Sequence, residues 1–484
     1  MNNRLKTSLI MLYAVLISCV SVQSQSLVKI SPDKEQQTVE GWGSSLCWWA
    51  HMLGQWQNEE AIDEIVNYIT SPNELNMNVF RYNIGGGDNP AHYSTENTPG
   101  HMAFGKGLRA EMQGFKASET SPYDWSADAG QRKIMLKIKE KRPDAVFEAF
   151  SNSAPYWMTY SGCSAGNENA LHDNLNRKYY NQFCDYLIDV CKFYKDSLHI
   201  EFKTLEPFNE PLTGYWNNLG SQEGCHFSVK SQIKLLKILY PKLKKSHLAT
   251  VISVCDETNL SLFITELEEY IADGNVVDLL GQLNTHTYNG SDKERKKVSQ
   301  LVRRLDKPFW QSETGPSDYS STDLGTNLQL AQKLIADMRI LKPTAWLDWQ
   351  MMEENNNTWC FFRADFKNET YHLVKNFYVR MQFTRFIKQG YHIIESDNSD
   401  VLAALNPQKT ELVLVAVNNS DSQKNFQFDL SAFRTLANSA ELYSTNENGN
   451  CKKQSQLNVE NKRINYQSPG RSISTIVLPA KQYE

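Results

Sequence analysis

The sequence of 484 residues lacks features that mark several large classes of function. It has no block of basic residues and carries a formal net charge of −5, which argues against nucleic acid as a partner because phosphates require clustered Lys and Arg. Its nine cysteines include no CxxC pair and no His at zinc spacing, so a zinc site is not expected. No Gly-Lys-Ser follows Gly85-Gly86-Gly87, so these glycines favour a tight turn rather than a phosphate loop.

The N-terminal segment has the composition of an export signal. Arg4 and Lys6 precede an apolar run over residues 9–17, which is too short for a permanent membrane span. Cleavage after Ser24 would release a soluble protein, whereas Leu16-Ile17-Ser18-Cys19 resembles a bacterial lipobox in which Cys19 would be acylated. The sequence leaves both routes open. It predicts an exported protein, periplasmic, secreted or held at the outer surface, with no membrane span.

Eight cysteines remain after the predicted signal peptide of residues 1–24. An oxidising compartment permits disulfides, and Cys163 and Cys225, both in glycine-rich loops, form the favoured exposed pair. Buried thiols are the alternative, because free cysteine is among the most buried residue types.

Short apolar runs alternate with longer amphipathic stretches after the leader, which is the pattern of βα units. The candidate strands are residues 39–46, 79–84, 145–150, 199–205, 250–254, 279–284, 309–312 and 345–349. Helical periodicity is present at residues 58–69, 130–141, 177–195, 229–243, 260–272, 293–305 and 327–341. This succession predicts an α/β fold, a (β/α)8 TIM barrel over residues 39–385.

The pattern changes after about residue 386, where helical periodicity stops. Short alternating runs follow at residues 401–405, 412–417, 426–430, 440–443 and 472–478. Turn signals such as Asn406-Pro407 and Asn448-Gly449 separate them. Residues 386–484 are therefore predicted to form a small all-β sandwich, attached to the barrel. Residues 25–38 contain a strand-like piece that is predicted to pair with this domain.

Two isolated glutamates end two of the predicted strands. Glu210, in Asn209-Glu210-Pro211, and Glu313, in Gln311-Ser312-Glu313, are 103 residues apart (313 − 210). A barrel of about 250 residues has units of about 31, so three units span about 94 and place the glutamates on strands 4 and 7 at one rim. Two carboxylates from separate strand ends are the minimum equipment for cleaving a glycosidic bond. A solvated charge is the ordinary alternative for either residue alone.

Other polar residues surround these two positions. Asn209 can hydrogen-bond a sugar hydroxyl. Glu206 is a rival to Glu210, but four residues of strand place it up to about 13 Å further from the rim, which favours a structural role. Arg81 is a cation on a predicted strand, and buried charge persists only when it is paired. Glu313 is its predicted partner.

Aromatic residues follow several strand ends. Tyr288 could hydrogen-bond a nucleophilic carboxylate and keep it ionised, and His286 lies two residues before it. Indoles can stack on pyranose rings, and the candidates for this are Trp48, Trp157 and Trp349. Ordinary packing is the alternative for each of these residues.

Three motifs make the chain similar to glycoside hydrolase family 30. They are Gly-Trp-Gly-Ser-Ser-Leu-Cys-Trp-Trp-Ala at 41–50, Arg-Tyr-Asn-Ile-Gly-Gly-Gly-Asp-Asn-Pro at 81–90 and Ser-Asn-Ser-Ala-Pro-Tyr-Trp-Met at 151–158. They resemble the branch that contains endo-β-1,6-galactanases, and the resemblance covers almost everything after the leader. Ala154 stands where the family often carries proline, and Asn152 joins the candidate site through the third motif.

The resemblance implies a retaining double displacement with Glu313 as nucleophile and Glu210 as acid and base. It implies that Arg81 and Tyr288 hold Glu313 ionised, while a less polar setting keeps Glu210 protonated. No metal or cofactor is expected, and the partner is a polysaccharide or oligosaccharide. The candidate residues that bind or support this substrate are Arg81, Asn209, His286, Tyr288, Trp157, Trp349, Asn152 and Trp48.

The expected activity is hydrolysis of β-1,6-galactan side chains of arabinogalactan. The alternative enzymes are other family 30 β-glycosidases, namely a β-1,6-glucanase, a glucosylceramidase-like enzyme or a xylanase. A glycan-binding protein without catalysis is the alternative of another class. Residues 89–128, long and without periodicity, are predicted to shape the cleft, since long loops in compact domains tend to be functional.

Overall fold

The computed structural model describes residues 26–87, 89, 112–316 and 322–481. The predicted signal peptide, including Cys19, lies outside these ranges, as does most of the predicted cleft-shaping segment. Within the described ranges, every helix is too short or too polar to cross a membrane.

Eight parallel strands close into a barrel. Strand β1 (Ser26–Thr38) precedes it, and the barrel consists of β2 (Gly41–Ser45), β3 (Val79–Asn83), β4 (Val146–Phe150), β5 (Thr204–Glu206), β6 (Val251–Asn259), β7 (Gln282–Asn289), β8 (Phe309–Glu313) and β9 (Ala345–Asp348). The barrel closes where β2 pairs with β9, Gly41 opposite Ala345. All eight predicted strands are confirmed. The fourth is much shorter than predicted, with only three residues.

Helices cover the outside of the barrel. They are α1 (Trp49–Leu53), α2 (Glu59–Thr70), α3 (Ala129–Lys141), α4 (Tyr180–Leu198), α5 (Val229–Lys245), α6 (Leu260–Asp273), α7 (Asp292–Leu305), α8 (Asp323–Ala336) and α9 (Lys375–Thr384). In helix α7 the local sequence determines where the helix begins, because Ser291 and Glu294 form a capping box at its start. Its buried residues Val298, Leu301 and Val302 recur at helical spacing, so one face packs on the barrel.

A small three-stranded sheet follows the last barrel strand and stands beside the barrel mouth. Its strands are β10 (Met352–Glu353), β11 (Phe362–Asp365) and β12 (Thr370–Leu373). The sequence did not predict this sheet, because its strands are too short to show periodicity.

The C-terminal region is all β, as predicted. Its strands are β13 (His392–Ser396), β14 (Val401–Leu405), β15 (Glu411–Asn418), β16 (Lys424–Asp429), β17 (Thr435–Leu436), β18 (Ser439–Asn446), β19 (Gly449–Lys453), β20 (Leu457–Asn458), β21 (Arg463–Ser468) and β22 (Ser472–Lys481). Strand β1 lies between β13 and β16 in this sheet system, antiparallel to the first and parallel to the second. The N-terminal strand therefore pairs with the C-terminal region. The fold class, a TIM barrel with an attached β domain, is confirmed.

The central strands of this domain are buried on both faces. Val401, Ala403 and Leu405 of β14 point into the core of the β domain. Leu402 and Ala404, on the opposite face of the same strand, pack with the large core that includes the barrel helices. Because side chains alternate along a strand, one sheet fills two hydrophobic cores and joins the β domain to the barrel.

The sequence left an exposed disulfide pair and buried thiols both open for Cys163 and Cys225, and the structure has the buried thiols. The structure places the eight described cysteines, at 47, 163, 184, 191, 225, 255, 360 and 451, as buried thiols. Burial raises the pKa of Cys184 and of Cys225 to about 12, so these thiols are protonated and unreactive at neutral pH.

Candidate active site

A cavity of about 780 Å³ opens at the carboxyl ends of the barrel strands, where sites of this fold are built. Seven of the ten candidate residues line it: Trp48, Asn152, Asn209, Glu210, Tyr288, Glu313 and Trp349. Arg81 and His286 are completely buried beneath them. Trp157 is elsewhere, as described below.

Glu210 follows β5 in a left-handed backbone conformation, with φ of 51°. Such a conformation is unfavourable for a residue with a side chain and is typical of functional sites. Its N–H donates to the carbonyl of Asp256 at 2.8 Å, and its own carbonyl accepts from the indole of Trp216 at 2.9 Å. These bonds fix the turn that directs the carboxyl into the cavity.

The carboxyl of Glu210 has two partners. Oε1 lies 3.1 Å from Nδ1 of His286, and the hydroxyl of Tyr215 donates to Oε2. The sequence predicted a less polar setting for this group than for Glu313, and the structure gives it two polar partners. Tyr215 reaches back from the loop that follows Pro211, and neither composition nor spacing indicated this contact.

Glu313 is the last residue of β8. Its Oε2 accepts from Nη1 of Arg81 at 2.8 Å, and its Oε1 accepts from the hydroxyl of Tyr288 at 2.9 Å. Both contacts were predicted from the sequence and both are present. Together they hold the carboxylate in one orientation facing the cavity.

The two carboxyl groups face each other across a short gap. One oxygen of Glu210, one oxygen of Glu313 and a ring nitrogen of His286 all lie within 4.8 Å of one another. Chemically, this arrangement can present one group as a nucleophile and the other as a proton donor to the same bond.

Arg81 is the hub of the charge network under the cavity. Nε donates to Glu148 at 3.0 Å, while Nη2 donates to Asp256 and, at 3.3 Å, to Asn209. Its guanidinium also lies 4.0 Å from the ring centre of Phe150. Burial opposes the positive charge, but Asp256, Glu313 and Glu148 outweigh it and raise the pKa of Arg81. The sequence predicted the contact with Glu313, but nothing in it indicated the contacts with Glu148 and Asp256.

His286 is a second buried cation. Burial lowers the pKa of an imidazole, yet the charges of Glu313 and Asp256 and the hydrogen bond to Glu210 outweigh it and raise the pKa of His286 to about 10. Burial likewise raises the pKa of Asp256, but Arg81 and His286 bring it below its ordinary value. Asp256 is thus a fixed negative charge between the two cations.

Glu313 departs from the sequence prediction in one respect. Arg81 and Tyr288 were expected to hold it ionised, and both contact it. Burial nevertheless dominates and raises the pKa of Glu313 above its ordinary value, while the charges of His286 and Arg81 limit the rise. The carboxyl therefore takes up a proton more readily than an exposed glutamate does.

Glu210, His286 and Glu313 have the donor types and the spacing with which proteins hold metal ions. These side chains already have partners within the protein: His286 lies against Glu210, and Glu313 accepts from Arg81 and Tyr288. The cluster therefore fits an ion-pair network better than a metal site.

Glu206, the rival of Glu210, is completely buried at the end of β5 and does not line the cavity. Burial raises its pKa well above the ordinary value, and the charges of Asp256 and Glu148 raise it further. Its uncharged form is therefore favoured in the barrel interior.

The candidate tryptophans divide into two groups. Trp48 and Trp349 meet edge to face at the cavity wall, with ring centres 5.1 Å apart. Trp359, which the sequence did not single out, also lines the cavity and stacks on Tyr288 at 5.9 Å. Trp157 packs outside the cavity because its indole donates to the carbonyl of Lys116 at 2.8 Å.

The sequence model of O-glycosyl hydrolase family 30 matches residues 25–297, more than half of the chain. An endo-beta-1,6-galactanase of Hypocrea rufa is 29% identical over 427 residues, with 85% of each chain covered. An exo-beta-1,6-galactobiohydrolase of Bifidobacterium longum subsp. longum is 24% identical over 550 residues, covering 84% of this chain and 35% of its own length.

The fold also matches solved structures. A conserved exported protein from Bacteroides fragilis superposes with a TM-score of 0.79 at 16% identity, with 93% of this chain and 100% of that chain covered. At this identity the match concerns the fold alone, whereas the family match concerns the sequence. The chain therefore belongs to O-glycosyl hydrolase family 30 and is an O-glycosyl hydrolase.

Proposed function

We propose that this protein is a retaining endo-β-1,6-galactanase that cleaves galactan side chains of arabinogalactan. Glu210 and Glu313 carry the proposal for catalysis, because their carboxyl oxygens face one cavity within 4.8 Å of each other. The sugar and the linkage are supported by the motifs at residues 41–50, 81–90 and 151–158. The name of the Hypocrea rufa relative supports them further.

In the first step, a carboxylate oxygen of Glu313 attacks the anomeric carbon. The glycosidic bond breaks, and the departing oxygen takes the proton of Glu210. In the second step, the Glu210 carboxylate takes a proton from water. The water oxygen then attacks the anomeric carbon, and the ester bond to Glu313 breaks. Two inversions at one carbon return the original β configuration.

The spacing of the carboxyl groups supports retention over inversion. Retaining pairs stand about 5–5.5 Å apart, whereas inverting pairs stand roughly 6.5–9.5 Å apart to leave room for a water molecule. Oxygens within 4.8 Å of each other leave no such room. Proton NMR of the first product formed tests this directly: the β anomer is expected, and an initial α anomer would contradict the mechanism.

As the pH is lowered, activity should be lost at a pH above the ordinary pKa of a glutamate. Glu313 must be ionised to attack, and its pKa lies above 4.5. The active form therefore predominates above that raised pKa and is lost as pH falls through it. We expect the acid limb of kcat/KM above pH 4.5. His286→Gln should move this acid limb to a higher pH, because it removes a cation that lowers the pKa of Glu313. A movement of the acid limb to a lower pH would argue against Glu313 as the titrating group.

Product analysis tests the substrate. Debranched β-1,6-galactan, β-1,6-glucan and glucuronoxylan are each incubated with the protein, and the products are separated by size. A ladder of galacto-oligosaccharides from galactan alone is the expected result. Galactobiose as the sole early product would indicate cleavage from chain ends, and release only from another glycan would overturn the sugar assignment.

Export is part of the proposal, supported by the composition of residues 1–24. The N-terminus of the mature protein distinguishes the two routes. A start at Gln25 indicates a cleaved signal peptide, whereas a lipid-modified Cys19 indicates an anchored lipoprotein.

A further inference from the structure

Exposed large apolar side chains are concentrated at one side of the barrel mouth. Of the six in the described residues, two, Leu27 and Leu136, lie elsewhere. The other four are in the loops that follow the adjacent strands β4 and β5: Tyr160, Leu171, Tyr215 and Leu219, exposed by 53%, 65%, 48% and 58%. Exposed apolar side chains grouped beside a cavity mark a binding surface more often than a chance arrangement.

Three of these residues, Leu171, Tyr215 and Leu219, form what we call the apolar rim. The two loops are tied together, since the N–H of Asn167 donates to the carbonyl of Trp216 at 3.3 Å and the N–H of Asn218 donates to the carbonyl of Asn167 at 3.0 Å. Cδ2 of Leu171 lies 3.1 Å from the point where a Cβ on Gly214 would stand. Leu171 therefore packs against Gly214, the residue before Tyr215.

The apolar rim is held in place from below. The buried carboxylate of Glu223 accepts from the N–H of Gly86 at 2.7 Å and from Nδ2 of Asn83 at 2.9 Å. A Cβ on Gly224 would stand 2.0 Å from the indole of Trp216, so only glycine permits this packing. A surface fixed in this way loses little entropy on binding.

The apolar rim is continuous with the cavity on the side of Glu210. Tyr215 and Gly220 line the cavity, and Leu219 precedes Gly220. The Tyr215 hydroxyl donates to the carboxyl of Glu210. Trp349, by contrast, is on the side of Glu313, with its N–H bonded to the carbonyl of Thr314 at 2.9 Å. The two aromatic surfaces thus flank different carboxyl groups.

We propose that the apolar rim binds the sugar units on the leaving-group side of the cleaved bond. This inference rests on the proposed function, in which Glu210 gives its proton to the departing oxygen. The departing chain must then lie against the side of the cavity where Glu210 stands. One face of a galactose ring carries mainly C–H groups, and leucine and tyrosine side chains cover such a face well. Contacts with sugar units on the leaving-group side favour cleavage inside the polysaccharide over cleavage at its ends.

The test removes the apolar surface without touching Glu210. The double variant Leu171→Ser/Leu219→Ser is compared with Leu27→Ser, which removes a leucine of 55% exposure from β1 in the β domain. The substrates are β-1,6-galactan, β-1,6-galactopentaose labelled at its reducing end, and the aryl glycoside of β-1,6-galactobiose, which has no sugar on the leaving-group side.

We expect the double variant to lose about tenfold in kcat/KM on galactan, as partial loss of two leucine contacts implies. Its bond of cleavage in the pentasaccharide should shift toward the labelled end, because fewer units are held there. Hydrolysis of the aryl glycoside should change by no more than about twofold, and Leu27→Ser should match the wild type on all three substrates.

Equal losses on the aryl glycoside and on galactan, or an unchanged cleavage position, would overturn the inference. If the wild type cleaves another β-linked polysaccharide instead of galactan, the sugar assignment fails. The same comparison is then made with oligosaccharides of that polysaccharide, and their cleavage positions decide whether the apolar rim binds the leaving group. A wild type without turnover on any chain would overturn both proposals.

Discussion

Replacing Glu313 by glutamine should reduce turnover by a factor on the order of 10⁴ or more, as loss of a covalent nucleophile does. An amide cannot form the glycosyl ester, yet it has the shape of the carboxylate and keeps hydrogen-bond partners for Arg81 and Tyr288. Binding of galactan, measured by calorimetry, should therefore persist. The pair of measurements separates chemistry from recognition.

Glu206→Gln is the matched control. Glu206 is buried and burial raises its pKa well above the ordinary value, so its uncharged form is favoured and an amide of the same size replaces it closely. Activity should stay within a few-fold of the wild type. If Glu313→Gln retained most of its turnover, the assignment of the nucleophile would be wrong. If Glu206→Gln lost its turnover, the choice of Glu210 over Glu206 as the acid and base would be wrong.

Replacing Arg81 by methionine should lower the free energy of unfolding by about 3–5 kcal/mol, the usual effect of removing one partner of a buried ion pair. Arg81 is completely buried and contacts Glu148, Asp256 and Glu313. Methionine fills part of the volume but leaves three carboxyl groups without their main cation. The measurement is denaturant unfolding at neutral pH, together with kcat/KM on galactan, which should also fall.

The pH dependence of this loss distinguishes charge from packing. If carboxylates without a cation cause the loss of stability, the difference in the free energy of unfolding between Arg81→Met and the wild type should shrink at mildly acidic pH, where these carboxylates take up protons. A deficit that is equal at both pH values would indicate lost packing instead. Arg304→Met, at an exposed position on α7, should change stability by less than about 0.5 kcal/mol.

The barrel strands could be predicted because each combines a short apolar run with turn signals and precedes an amphipathic segment. Buried parallel strands are short continuous apolar runs, whereas amphipathic helices have a period of about 3.6 residues, and this difference is visible in one sequence. The strands that were missed include β10 and β20, which have two residues each and show no period. These short strands form because segments that are close in space supply their hydrogen-bond partners. The local sequence does not identify those partners.

The two glutamates could be predicted because each ends a strand-like run, and the barrel delivers all strand ends to one rim. Their surroundings could be predicted only in part. Arg81 lies opposite Glu148 in the pairing of β3 with β4, and Asp256 arrives from β6. Which side chains point inward, and at what height, depends on register, which no single strand encodes.

The directions of two kinds of loop side chain were not settled by the sequence. Cys163 and Cys225 were the candidates for an exposed pair, with buried thiols as the alternative, and both are buried. The assignment of Trp157 to the cavity assumed that a tryptophan after a strand faces the rim, but its indole turns to Lys116. In each case the direction of a loop side chain was inferred from its place in the chain, and loop packing decides that direction.

The sequence by itself determined the alternation of strands and helices, the all-β tail, the family and the two glutamates, because these follow from local periods and short motifs. Only the tertiary structure decided the contact of Tyr215 with Glu210, the charge network around Arg81 and His286, the raised pKa of Glu313 and the apolar rim beside the cavity. The physical reason is that burial and charge act through space, between residues that barrel closure and loop packing bring together from distant parts of the chain.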